Sequence, residues 1–225
     1  MIDFHLKEMQ AIASQKFDLN NISPEFIRDF VYNSLSFEKD DISPEDVEAA
    51  LRGEVLEEKK FRLIKNHIDA FWFIVDMVKN NSEFDENKLK DLHEVLMEGL
   101  DTGGLYRKVD ISIKGSNHTP PSHLKVYDRM KKYFLTLREE GMGLLEKIAF
   151  SHVQLAKIHP FLDGNGRCAR LVLNFQLMKN GFAPVIIPYD ERARYFETLE
   201  AFKVNKDIDP FIEYLLEKEK EALNI

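Results

Sequence analysis

His159-Pro160-Phe161-Leu162-Asp163-Gly164-Asn165-Gly166-Arg167-Cys168-Ala169-Arg170 reads as a loop between two helices that holds an anion. Helical spacing runs up to Ile158 and Pro160 stops it, because proline lacks an N–H and disfavours the helical conformation in the residue before it. His159 therefore falls at a helix end. Asp163 supplies a carboxylate, and Gly164-Asn165-Gly166 forms a turn whose small residues let backbone N–H groups converge on a ligand. Helical spacing resumes at Arg167, so the turn lies at a helix N-terminus, where unpaired N–H groups and the macrodipole favour negative charge. Arg167 and Arg170, three apart, share a face of its first turn. Two cations there oppose the dipole by about 0.3–1 kcal/mol each unless something negative answers them, and a polyphosphate would do so. The plainer reading is a helix–turn–helix connection whose glycines only turn the chain.

Working outward, Asn21-Ile22-Ser23-Pro24 reads as a cap opening a helix with Phe26, Ile27, Phe30 and Val31 on one face, and Ser43-Pro44-Glu45 opens a short helix to about Leu51. Apolar residues at helical spacing predict further helices over 57–79, whose aromatics, Trp72 included, are expected in the core, and over 85–100, where His93 is structural. The same pattern predicts helices over 121–140, 144–158, 166–180, 190–204 and 207–223. Val109-Asp110-Ile111-Ser112-Ile113 alternates with period two, so a short strand is expected there, turned back at Gly115. The fold class is all-α with one short β-hairpin. Residues 1–56 read as an N-terminal helical region and 57–225 as a catalytic core, the two integrated.

The 225 residues are 44% hydrophobic and 31% charged, with 10 Gly and 8 Pro, a composition of a globular, helix-biased chain. A net charge of −8 argues against nonspecific nucleic-acid binding. The single cysteine, Cys168, excludes an intramolecular disulfide and fits a reducing cytoplasm; it is expected to pack, not to react. No signal peptide is legible, and the apolar run 70–75 falls far short of the roughly 20 residues that span a bilayer. The expectation is a cytoplasmic protein with no nucleic-acid or membrane partner. Helical surfaces such as residues 2–17 leave a homo-oligomer open. His152, two turns before His159, suggests a zinc pair only weakly, since known helical pairs use i, i+4.

The loop resembles the signature of Fic-domain proteins, His-Pro-Phe-x-Asp/Glu-Gly-Asn-Gly-Arg-x-x-Arg, at every fixed position. The resemblance extends to Gly104-Leu105-Tyr106-Arg107, to residues 110–121 and to Arg194-Tyr195-Phe196, covering most of 30–215. It implies a Fic-type helical bundle that transfers AMP from Mg-ATP to a Ser, Thr or Tyr hydroxyl of a target protein, unknown here and open to being the chain itself. His159 would be the general base and Asp163 the Mg²⁺ ligand. Gly164, Asn165, Gly166, Arg167 and Arg170 would bind the ATP phosphates. Tyr195 matches a position beside the adenine, with core packing the alternative. Asp110, Ile111, Ser112, Ile113, Lys114 and Gly115 would form a flap that docks the target's main chain. Glycine at 166, where a kinase-like branch carries lysine, implies AMP transfer.

Ser34-Leu35-Ser36-Phe37-Glu38 is similar to the family's inhibitory motif, in which Glu38 would pair with Arg170 and obstruct the γ-phosphate. The sequence departs from that motif at Lys39, and a plain surface Glu-Lys pair is the alternative. Transfer of another phosphate-containing group, removal of AMP, and a non-catalytic nucleotide-binding module remain the competing functions.

Overall fold

Both proline-bearing caps form. The Ser23 side chain accepts from the Phe26 amide at 3.1 Å with Pro24 at the first helical turn, and Ser43 and Asp46 close a reciprocal capping box. The computed structural model describes residues 2–38, 41–54, 57–113 and 115–225. Along them run α1 Ile2–Lys16, α2 Pro24–Ser36, α3 Pro44–Leu51, α4 Glu58–Lys79, α5 Glu86–Met97, α6 Val126–Arg138, α7 Leu144–Ile158, α8 Asn165–Lys179, α9 Arg192–Glu200 and α10 Asp209–Leu223. No helix is long and apolar enough to cross a membrane among the described residues.

Helix α8 is the axis of the bundle. It is buried along nearly its whole length and round its whole circumference, packed between α7 and α4, as an α-helix without a polar face must be. Helix α2 crosses α4 and touches α8 near its start, while α1 lies against α10 at the far end. There Gln10 Nε2 donates to the Asn180 carbonyl at 2.7 Å. One apolar cluster extends from Leu6 through Phe30, Phe71, Phe161 and Leu171 to Leu223, so α1–α3 share their core with the later helices.

Two expectations are corrected. Trp72 is not a core residue: it is 39% exposed and meets Phe71 edge-on, while Phe71 itself is fully buried. Helix α4 buries a stripe through Ile64, Ile68, Phe71 and Val75, and Trp72, one position on from Phe71, turns to its margin. The alternating segment 109–113 is also not a strand, and no strand occurs among the described residues. No ladder supports it; side chains tie its surroundings down instead. The Arg107 guanidinium donates to the Val109 carbonyl at 2.9 Å and to the Pro121 carbonyl. Asp110 accepts from the His123 amide and ring at 2.7 and 2.8 Å, and Glu200 accepts from Ser116 Oγ and from the Asn117 amide. The period-two pattern survives only as exposure, with Ile111 and Ile113 half-buried and Ser112 exposed.

Phe71→Ala should lower stability by about 3–5 kcal/mol, since it empties a site walled by Phe26, Phe30 and Trp72. Urea unfolding would show the midpoint falling with an unchanged slope.

Candidate active site

Helix α7 ends at His159, whose backbone is left-handed (φ 52°, ψ 63°), a conformation that costs a non-glycine residue energy. The residue is held there from both sides. Its amide donates to the Leu155 carbonyl at 2.9 Å, its carbonyl accepts from Arg107 Nε at 2.9 Å, and the neighbouring Pro160 carbonyl accepts from the Arg107 amide at 2.9 Å. Past Pro160 the chain folds over the buried Phe161 ring. Asn165 closes the turn: Oδ1 accepts from the Phe161 amide and Nδ2 donates to the Phe161 carbonyl, each at 2.9 Å. The Asn165 side chain is thus spent on the loop's own backbone, and its amide N–H is the part that stands at the start of α8. Gly164 has φ 72°, and a Cβ on it would lie 3.1 Å from Met97 Sδ and 3.3 Å from His93 Nε2.

His93 proves to be the prop beneath this loop. Its ring stacks on Phe161 with centroids 3.6 Å apart and planes 5° from parallel. The Gly104 amide donates to its Nδ1 at 3.0 Å, and its Nε2 lies 2.9 Å from the Asp163 carbonyl. An amide can only donate and a carbonyl only accept, so the proton resides on Nε2. Burial draws its pKa down to about 4 and keeps it neutral. His93 was legible only as a structural residue of that helix; its reach to residue 164, and that of Met97 four positions on, was not.

Arg167 and Arg170 are almost completely buried, at 2% and 4% exposure. Arg167 Nε donates to Glu38 Oε2 at 2.8 Å, and its Nη2 lies 3.3 Å from Asp163 Oδ2. Arg170 Nε donates to Ser34 Oγ at 2.8 Å and Nη2 to the Ser34 carbonyl at 2.6 Å, while Glu38 Oε1 stands 3.8 Å from Nη2. Phe37 lies beneath the Arg170 guanidinium at 4.6 Å. Ser34 and Glu38, one helical turn apart at the end of α2, therefore bring both acceptors to the arginines. Glu38 bridges the pair: the expected ion pair with Arg170 is present, and a shorter hydrogen bond to Arg167 adds to it. The space it fills exists because residue 166 has no side chain: a Cβ there would lie 3.0 Å from Glu38 Oε1 and 3.2 Å from Arg170 Nη1. Lys39 lies outside the described residues.

The His159 ring is half-buried, and burial, with Lys203 and Arg107 adding, pulls its pKa to about 4. Its Nδ1 lies 3.4 Å from the Ala156 carbonyl, a long contact that favours the proton on Nδ1 and leaves Nε2 as the acceptor. Asp163 is 61% exposed in its side chain, with Oδ1 accepting from the Gly164 amide at 2.7 Å. Tyr195, by contrast, is a core residue here, 1% exposed and 2.8 Å from His152 Nε2 through its hydroxyl. His152 Nδ1 lies 2.8 Å from the Ala169 carbonyl and so carries the proton, which leaves Nε2 to accept from Tyr195. Both ring nitrogens of His152 are engaged in these contacts, and no cluster of three potential metal ligands occurs among the described residues. Of the flap, Asp110 serves the His123 contact, and Lys114 lies outside the described residues.

Ser34→Ala should cost about 1–3 kcal/mol, because a buried Nε–H of Arg170 loses its acceptor; thermal unfolding would read it. Acid should weaken the fold early. His67, His93, His152 and His159 all have pKa values depressed by burial, so between about 6.5 and 4 the unfolded chain binds protons that the folded chain refuses. Stability therefore falls as pH drops through that window, on the order of 1 kcal/mol per pH unit or more. Glu219, raised by burial to about 7, works in the opposite sense but as one group against four. Denaturation midpoints at pH 7 and 5 check this; equal values would contradict it.

Residues 83–177 match the model of the Fic/DOC family. The chain is 30% identical over 195 residues to a protein adenylyltransferase fic-1 of Caenorhabditis elegans, covering 83% of this chain and 38% of that one. It is 33% identical over 140 residues to a protein adenylyltransferase Fic of Drosophila erecta, covering 60% and 28%. The chain thus spans about a third of the length of these curated relatives. The solved structure of residues 134–508 of C. elegans Fic-1 superposes with a TM-score of 0.83 at 23% identity, over 97% of this chain and 69% of that one. Together with the loop geometry, these matches make residues 83–177 a domain of the Fic/DOC family.

Proposed function

We propose that the chain transfers AMP from ATP to a hydroxyl of a protein, and that Glu38 restrains it. One observation carries the reading: a neutral imidazole at the end of α7 and two buried guanidiniums at the start of α8 flank one loop whose backbone is already fixed. His159 Nε2 takes the proton of the attacking hydroxyl as its oxygen bonds to the α-phosphorus and the bond to the departing pyrophosphate breaks. A base with a pKa near 4 is unprotonated throughout the neutral range. The amides at the start of α8 face developing phosphate charge without needing to reorganise, and Arg167 and Arg170 hold the outer phosphates. Asp163 fits a magnesium ligand, since its carboxylate is exposed beside the phosphate cradle and Mg²⁺ usually takes one or two carboxylates along with phosphate oxygens and water. Bound there, magnesium would neutralise phosphate charge.

Glu38 occupies the arginines that the outer phosphates need. An anion on a clamp competes with any other anion for it, so displacement of Glu38 is the step that admits ATP productively. The segment 109–113, with no ladder partner of its own, offers main-chain groups to an extended stretch of target. The chain's buried single cysteine supports a reducing setting such as the cytoplasm, and residues 1–56 act as a restraining cover on the core of 57–225.

Incubation with ATP labelled at the α-phosphate should label the chain itself or proteins of a lysate, more strongly for Glu38→Gly. His159→Ala should lower the rate by about 10²-fold or more. Label arriving from the γ-phosphate instead would replace AMP transfer with phosphorylation. Calorimetric ATP binding without any labelling by Glu38→Gly would leave a nucleotide-binding module.

A further inference from the structure

A cavity of about 620 Å³ opens beside the last turns of α7, between α6, α7, the π-helical turn Ala201–Asn205 and residues 118–121. None of its lining residues belongs to the 159–170 loop. Its floor is apolar and largely aromatic, from Tyr133, Phe150, Ile158 and Phe202, with Phe150 meeting Phe202 edge-on at 6.3 Å. Its rim carries Arg129, Lys132, Lys157 and Lys206 and no carboxylate.

The charge on that rim is unanswered. Aspartates and glutamates outnumber lysines and arginines 39 to 31 in the chain, and some cations elsewhere, Arg28, Lys60, Lys90 and Arg194 among them, face a carboxylate. None of the four rim cations is in an ion pair among the described residues. Lys157 is half-buried, its ammonium 5.1 Å over the Phe202 ring and 3.3 Å from the Phe202 carbonyl. Burial, then Lys206 and Arg129, press its pKa downward, the mark of a cation among cations. Like charges gathered on one hollow in an acidic protein are stabilised by an anion entering it. The volume suits a small molecule, and an aromatic floor under a cationic rim selects one with a flat apolar part and an anionic end.

We infer that this cavity binds a small anion with an aromatic body, of the aryl phosphate or aryl carboxylate kind, at a site separate from the nucleotide loop. Occupancy bears on Lys157, two residues before His159, whose carbonyl also accepts from His118 Nε2 at 3.0 Å and so joins α7 to the segment 109–121.

The test is an NMR titration of the full ¹⁵N-labelled chain with phenyl phosphate, in the presence of saturating Mg²⁺ and a non-hydrolysable ATP analogue. Saturable shifts are expected at Gln154, Lys157, Phe202 and Lys206, weakened by salt. Inorganic phosphate and phenol should each bind at least about tenfold more weakly, a difference of about 1.4 kcal/mol. Arg129→Gln with Lys157→Gln should lose at least about tenfold in affinity. Should Lys157→Gln disturb folding, Lys132→Gln with Lys206→Gln, both on the exposed rim, serves in its place. The inference is overturned if no saturable shifts occur at those residues, if the charge substitutions leave affinity unchanged, or if inorganic phosphate binds as tightly as phenyl phosphate. Failure of this test leaves AMP transfer untouched, because the assay for that reads a different site.

Discussion

Two guanidiniums taken out of water at the positive end of a helix are the constraint that the site is built around. Burying a charge is costly unless it is paired and hydrogen-bonded, and the amides at the start of α8 repel Arg167 and Arg170 further. The end of α2 answers with a carboxylate from Glu38, a hydroxyl and a carbonyl from Ser34 and a ring face from Phe37. Those contacts set where α2 lies against α4 and α8. The absence of a side chain at residue 166 lets the carboxylate approach. A single electrostatic demand thereby couples a segment early in the chain to a loop some 130 residues later.

Around the charges, the loop is kept in shape by uncharged groups. Asn165 serves both backbone groups of Phe161, and His93 stacks on Phe161 while bridging Gly104 and Asp163. Buried polar contacts of this kind must be fully satisfied to be worth having. Neutral histidines suit that role, since each presents one donor and one acceptor in a fixed plane. The same burial that keeps His93 neutral as a prop keeps His159 neutral as an acceptor.

Much of this was legible from residue order, because caps, helical periodicity and the Pro160 break are local properties. The start of α2 at Pro24, the start of α3 at Pro44 and the end of α7 at Ile158 all follow from them. Trp72 was misplaced because periodicity identifies a buried stripe but not its edges. The strand expected at 109–113 failed because alternation reports which side chains turn inward, and pairing needs a partner that no local pattern supplies. Tyr195 and His152 pair across 43 positions, and Glu38 reaches Arg167 across 129. Such encounters depend on how helices cross, which no window of sequence contains. The motif resemblance named the residues of the loop, but it could not foresee that the Asn165 amide group would be spent on its own turn.

Arg107 deserves its cost in burial for a mechanical reason. Its side chain is wholly inaccessible and donates to the carbonyls of His159, Val109 and Pro121, while its own amide holds Pro160. The planar fork of a guanidinium can grip three carbonyls at once, which the single ammonium of lysine cannot reproduce. Residues 109 and 121 flank the unpaired segment, and residue 159 bears the imidazole, so one rivet fastens both. A pull on that segment would be transmitted to the backbone that carries the imidazole, so under the proposed function target docking and proton acceptance would be mechanically joined.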